Sequence, residues 1–356
     1  MTGSTIALPQ LGWSDQLEDE FAVHAAQGLV PGRVAVQHRG AYGVYTEAGE
    51  ASAEVAGRLR HEAAGTGELP AAGDWVALEQ PPGAVRGVIH ALLPRRTKLS
   101  RNVAWAETDE QVIGANVDVV FVLTALTGDL SLRRLERYLT TIWESGAEPA
   151  VALTKADLCD DVVSALVAAE SVAIGVPVHV VSSVTGLGVD EVRAYANGSR
   201  TIAFLGSSGV GKSTLLNRLL GEEVQTVQEV RSDGRGRHTT SRRELVLLPG
   251  GGLVLDTPGM RELQLWDADA GIDAAFEDVE QFALACRFSD CRHEREPGCA
   301  VLAAVDEGTL ELDRLRSWRK LQRELRALEL KQNQRLRIEA RRARRVQARS
   351  FRKASW

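Results

Sequence analysis

Between positions 206 and 214 the chain runs Gly206, Ser207, Ser208, Gly209, Val210, Gly211, Lys212, Ser213, Thr214, which fits G-x-x-x-x-G-K-[ST] throughout. Glycines let the backbone turn its N–H groups inward around phosphate oxygens, and the start of a following helix adds the positive end of its dipole. Lys212 is placed to reach the β- and γ-phosphates as a catalytic cation, and the Ser213 hydroxyl to bind magnesium. A strand-like run, Thr201 to Leu205, precedes the loop, and a helical run, Leu215 to Leu220, follows it. That context separates a phosphate loop from a chance glycine-rich turn.

A phosphate loop does not choose its base. Thr154, Lys155, Ala156 and Asp157 close a strand-like run. A carboxylate at Asp157 can accept from guanine N1–H and N2–H₂ together, a pair adenine lacks, and the Lys155 stem can cover the base or brace the loop. G proteins commonly begin this motif with Asn; Thr154 keeps a short polar side chain there. T-K-x-D alone is weak, but Ser182 and Ser183 close the next strand-like run, where G proteins place a base-contacting S-A pair. Guanine is the base these residues select. Downstream, Asp256 and Gly259 form D-x-x-G at the end of another strand, putting a carboxylate near magnesium and an N–H near the γ-phosphate. Thr239 and Thr240 lie between, as candidates for the switch threonine that meets magnesium.

The order is inverted: base-reading residues precede the phosphate residues, as if an ordinary G domain had been circularly permuted. The chain after the second switch then leads straight into a new domain. The position after Gly259, where many G proteins carry a water-orienting Gln, is Met260. Intrinsic hydrolysis should therefore be slow. His238 is the candidate for positioning the water, a surface histidine without a role being the alternative; Arg235, Arg237, Arg242 and Arg243 could supply a cis arginine or touch RNA.

Cys286, Cys291, His293 and Cys299 offer three thiolates and one imidazole within fourteen residues, a full tetrahedral set for a structural zinc. Cys159 stands alone and reads as an ordinary thiol.

The elements that must hold these residues fall into three blocks. Residues 1–30 are a weakly structured or helical lead-in. Residues 31–95 show five short strand-like runs (RVAVQHR, AYGVYTE, AEVAGRLR, AGDWVAL, AVRGVIHALL) and suit an OB-fold β-barrel. After a basic junction, PRRTKLSR, strands and helices alternate over 96–265, which calls for a parallel sheet covered on both faces, a P-loop α/β domain. Residues 266–356 read as a mostly helical zinc-binding domain, with Leu310, Leu315, Trp318, Leu321, Leu325 and Leu328 as a packing stripe.

The net charge of −6 hides an asymmetry: from Arg314 to Lys353 there are sixteen Lys and Arg against three acids. A basic tail on an acidic body points to a nucleic acid or another acidic surface, though a solvated charged helix would look the same. Apolar runs stop near ten residues, too short to span a bilayer, and no export signal opens the chain. A cytoplasmic protein without membrane contact is expected.

Taken together, the barrel pattern, the permuted T-K-x-D / S-S / P-loop / GRHTT / DTPG series, the C-x4-C-x-H-x5-C loop and the basic helix resemble the RsgA family of small ribosomal subunit biogenesis GTPases. The likeness covers nearly everything beyond residue 30. It implies a late maturation factor for the 30S subunit that binds 16S rRNA, hydrolyses GTP to GDP and phosphate with stimulation by the subunit, and carries its switch histidine at His238. A monomer is expected. The alternative is a GTP-dependent switch acting on a protein partner without RNA.

Overall fold

Five strands make the first block: β1 (Val30–His38), β2 (Ala41–Thr46), β3 (Gly49–Val55), β4 (Trp75–Glu79) and β5 (Arg86–Leu92). They pair in the order β1-β2-β3-β5-β4, and β4 returns to β1, closing a barrel of OB type. Alternate residues point inward, so Val34, Val44, Ala53, Val76, Leu78 and Ile89 fill the interior. The third strand-like run is shorter than its sequence suggests. β3 stops at Val55, and Gly57–Glu62 forms a short helix, α2, the second after α1 (Asp15–Ala25). Leu59 and the arginines beside it are good helix formers, and Arg58 pairs with Glu62 one turn on at 3.1 Å. The lead-in is ordered by packing: Ser14 caps α1 by accepting from the Leu17 N–H, and α1 buries Leu17 and Phe21 in the core that holds Trp75.

The described residues are 5–38, 40–80, 86–102, 110–221, 244–256, 275–288 and 291–323 of a computed structural model. They belong to two compact units, Met1–Gln264 and Leu265–Trp356. The segment that reads as a basic junction contains a strand, β6 (Lys98–Asn102), paired with β7 (Glu110–Ala115). Its charges conceal the alternation that would have disclosed it.

The α/β part holds β8 (Val119–Ala125), β9 (Glu148–Thr154), β10 (Val178–Val180), β11 (Thr201–Gly206), β12 (Glu244–Leu247) and β13 (Leu253–Asp256). Their spatial order is β10-β9-β8-β11-β13-β12, parallel except for β12. Both faces are covered, as continuous apolar strands require. On one, Val120 and Val122 meet Leu135, Leu139 and Ile142 of α3 (Leu132–Glu144); α4 (Val162–Glu170) adds Ala169. On the other, Val119 and Phe121 meet Val192 of α5 (Val189–Ala194) and Leu215 and Leu219 of α6 (Lys212–Leu220).

Barrel and α/β sheet are one sheet. Glu244 of β12 pairs with Val36 of β1, so eleven strands run continuously. At the joint Arg33 is fully buried. Its guanidinium donates to the carbonyls of Leu11, Gly73 and Asn116 and to Thr201 Oγ1, and it lies over the Trp75 ring. Burial lowers its pKa to about 10, yet it stays charged at neutral pH.

In the second unit, α7 (Glu277–Ala283), α8 (Ala300–Asp306) and helical residues 312–323 surround the cysteines. Buried Arg314 donates to both Asp278 carboxylate oxygens at 3.0 and 2.8 Å and stacks on Phe276. Leu310, Leu315, Trp318 and Leu321 are buried, as their spacing requires; Leu325, Leu328 and the rest of the basic tail lie outside the described residues.

Candidate functional site

β11 ends at Gly206, and α6 starts at Lys212 with Gly211 before it. The loop between them needs its glycines. Gly206, Gly209 and Gly211 have φ of +157°, +80° and +106°, and a Cβ on Gly206 would come within 2.4 Å of the Leu123 carbonyl of β8. Val210 is buried and pins the loop to the sheet, leaving Ser208 and Ser213 exposed, Ser207 and Thr214 half-buried. Lys212 folds back over the loop, Nζ donating to the carbonyls of Gly206 at 2.7 Å and Ser207 at 2.8 Å. The ammonium therefore already sits at the mouth of the loop.

The residues expected to read the base converge beside it because β8, β9 and β11 are neighbours in the sheet. Thr154, buried at the end of β9, donates from Oγ1 to the Val210 carbonyl at 2.6 Å, with the Thr124 carbonyl next nearest at 3.3 Å. The one hydroxyl proton thus ties the T-K-x-D turn to the phosphate loop. Sequence reading found Thr154 but not this acceptor, since no local signal marks a carbonyl as one. Lys155 follows in the left-handed region at φ 59°, which swings the chain so that Asp157 is exposed. Buried Ser182 donates to Asp157 Oδ1 at 2.5 Å and accepts from the Thr185 N–H. The two halves of the base-reading set therefore touch, with a hydroxyl aiming the carboxylate. Ala156 is buried beneath the turn and Ser183 half-buried beside it.

Asp256 closes β13, one strand from the loop. Burial pushes its carboxyl above the ordinary range, and Lys212 partly offsets this. A buried carboxylate oxygen and the Ser213 hydroxyl are hard donors of the sort magnesium takes. His238, Thr239, Thr240, Gly259 and Met260, with the neighbouring arginines, lie outside the described residues.

In the second unit Cys286, Cys291, His293 and Cys299 converge, their ligand atoms all within 4.8 Å of one another. Cys286 and Cys299 Sγ are 3.9 Å apart, and His293 Nδ1 lies 3.5 and 3.4 Å from them. Tetrahedral zinc with Zn–S of about 2.3 Å and Zn–N of about 2.0 Å would space these atoms about 3.5–3.8 Å apart. The sulfur separation is far beyond a disulfide bond. Burial, then the neighbouring thiols, push Cys291 up to about 11, a crowding that a cation would relieve. Burial lowers His293, favouring the neutral imidazole that metals bind. The supports around this cluster were not legible in the spacing. His293 sits at φ 57°; its carbonyl accepts from Arg319, and its ring packs edge-on to Trp318. Glu296 accepts from the N–H groups of Arg292, Glu294 and Arg295, and those bonds hold its carboxyl at about 2.

A phosphate loop with an adjoining guanine turn, in inverted chain order, defines a circularly permuted P-loop GTPase. The model of the RsgA GTPase family matches residues 92–266, and that of the 50S ribosome-binding GTPase family matches 201–334. The chain is 48% identical to small ribosomal subunit biogenesis GTPase RsgA 2 of Lactiplantibacillus plantarum over 84% of each chain. It is 46% identical to the Streptomyces coelicolor RsgA over 94% of this chain and 91% of that one. The crystal structure of YjeQ from Thermotoga maritima is similar at TM-score 0.64 and 26% identity, covering 83% of this chain and 98% of that one. The chain belongs to the RsgA GTPase family, and it is a GTP hydrolase.

Proposed function

We propose that the protein assists late maturation of the small ribosomal subunit, binding the 30S particle through 16S rRNA and hydrolysing GTP faster when bound. The observation that supports the guanine part is the pair of bonds Ser182–Asp157 and Thr154–Val210, which tie the T-K-x-D turn to the next strand end and to the phosphate loop. In this reading Lys212 neutralises the phosphates, the loop N–H groups from Gly206 to Thr214 cradle them, and Asp157 reads guanine, flanked by Lys155, Ser182 and Ser183. Ser213 and Asp256 hold magnesium, joined by Thr239 or Thr240, and Gly259 meets the γ-phosphate. His238 orients the water. Magnesium would supply charge neutralisation at the transferring phosphoryl group. Zinc would hold the loop of Cys286, Cys291, His293 and Cys299 in shape. The relatives' names support the ribosomal part, as does the basic segment from Arg314 onward. Among the described residues no helix is long and apolar enough to cross a membrane; the reading is of a cytoplasmic monomer.

GTP turnover with and without 30S subunits tests it. Lys212→Ala should lose nucleotide binding, whereas His238→Ala should keep binding and lose stimulated turnover. A wild-type rate indifferent to subunits would overturn the ribosomal reading, and unchanged stimulation in His238→Ala would remove that residue's role. Stimulation that persists at salt high enough to screen phosphate contacts would favour a protein partner instead.

A further inference from the structure

We infer that Tyr45, a barrel residue, positions Asp256 for the metal of the nucleotide site, acting through the edge strand β12. The inference rests on assigning Asp256 to magnesium.

Among the described residues the parallel register of β13 with β11 runs as far as Leu255, opposite Ala203. Asp256 lies one residue beyond, and its strand partner is Glu244 of β12. The position of the carboxylate is thus set from the β12 side. Among the described residues β12 runs from Glu244 to Leu247, and a strand at the edge of the α/β sheet opens readily unless its outer side is held. Here its outer edge is occupied by the barrel. Val36, Glu244 and Asp256 form one row across β1, β12 and β13. Among the described residues the β1–β12 ladder is a single pair, Val36 with Glu244, and beside it stands a side-chain anchor: Tyr45 Oη donates to the Leu245 carbonyl at 3.1 Å. Leu245 is the register partner of Leu255, the residue before Asp256. Tyr45 is buried, and burial pushes its hydroxyl up to about 12, so it remains a donor at any physiological pH.

The packing leaves β13 little slack, and the course of β1 is set beside it. Leu255 is fully buried, and a Cβ on Gly114 of β7 would fall 2.1 Å from its Cδ2. A bulge in β1 between Val34 and Val36 turns the strand where it leaves β4, after Arg33, and meets β12 at Val36. Loss of the Tyr45 bond would therefore loosen β12 and displace Asp256 while the packing around Leu255 stays in place.

The test uses the full chain and fluorescent GDP, titrated with saturating magnesium and again with EDTA. Tyr45→Phe keeps the ring and removes only the donor. It should leave the EDTA affinity unchanged and cut the magnesium-dependent gain by about fivefold, the scale of one buried hydrogen bond. Amide exchange at 244–256 should accelerate. An intact magnesium gain in Tyr45→Phe would overturn the role of Tyr45, and so would an equal loss with and without magnesium, which would mark general loosening. Wild-type binding that magnesium fails to strengthen would instead overturn the Asp256 assignment, and Tyr45's role with it. A second measurement needs no variant. Coupling is reciprocal, so magnesium added to the GDP-bound wild type should slow exchange at Val36 and Tyr45. Barrel amides that do not respond would overturn the inference.

Discussion

The guanine–phosphate site and the cysteine cluster are built on opposite principles. The cluster draws its four candidate ligands from fourteen consecutive residues, and its other supports are backbone N–H groups of the same loop plus Arg319 and Trp318 nearby. The nucleotide site gathers Thr124, Thr154, Asp157, Ser182 and Val210, separated by up to 86 positions, and the parallel sheet brings them together. One is local, three thiols and an imidazole that could together hold a metal ion. The other is non-local and is held by hydrogen bonds between distant strands and loops.

If that contrast is right, the largest effect should come from the cluster. Cys299→Ala, or a strong chelator, should release the metal and melt the loop, since structural zinc contributes on the order of 10 kcal/mol to small domains. GDP binding should persist. Metal content, limited proteolysis and a GDP titration read the two outcomes separately; a parallel collapse of GDP binding would break the contrast. Next comes Arg33→Met. Four buried neutral acceptors lose their donor, and each one left unsatisfied costs about 1–3 kcal/mol, so a loss of several kcal/mol is expected. Urea unfolding should shift as one transition for barrel and α/β sheet, and two separated transitions would show that the joint is not shared. The smallest effect is Thr154→Val, which keeps the shape and removes the donor to Val210. A loss of about 1–3 kcal/mol, roughly 5- to 150-fold in GDP affinity, is expected, with Thr154→Ser close to wild type. Equal affinity in Thr154→Val would mean that the tether does nothing for the loop.

The same contrast explains what the sequence could disclose. The phosphate loop and the cysteine cluster are legible because their chemistry is local: glycines, lysine and ligand spacing lie side by side. The base-reading residues are legible by type, yet the bonds that make them a site are not. Thr154 looks like a weakened asparagine until the Val210 carbonyl is beside it. Arg33 reads as an ordinary alternating strand residue, and only the packing of the N-terminal segment, the barrel and β11 makes it a buried cation. The extended third strand failed for a simple reason: Gly57–Glu62 carries helix-forming residues whose apolar content resembles strand alternation over so short a span. The β1–β12 pair is out of reach of any local pattern.

That pair also constrains how the molecule is made. Val36 and Glu244 are 208 positions apart. At about 5–20 residues per second, the ribosome finishes β1 roughly 10–40 seconds before β12 appears. For that interval the second half of β1 offers an unpaired edge, the kind of surface that recruits strands from other chains. Gln37 and His38 at its end, and its bulge at Ala35, limit that hazard while synthesis continues. Yield in the cell should therefore depend on translation speed between residues 38 and 244 as much as on the stability of the finished fold.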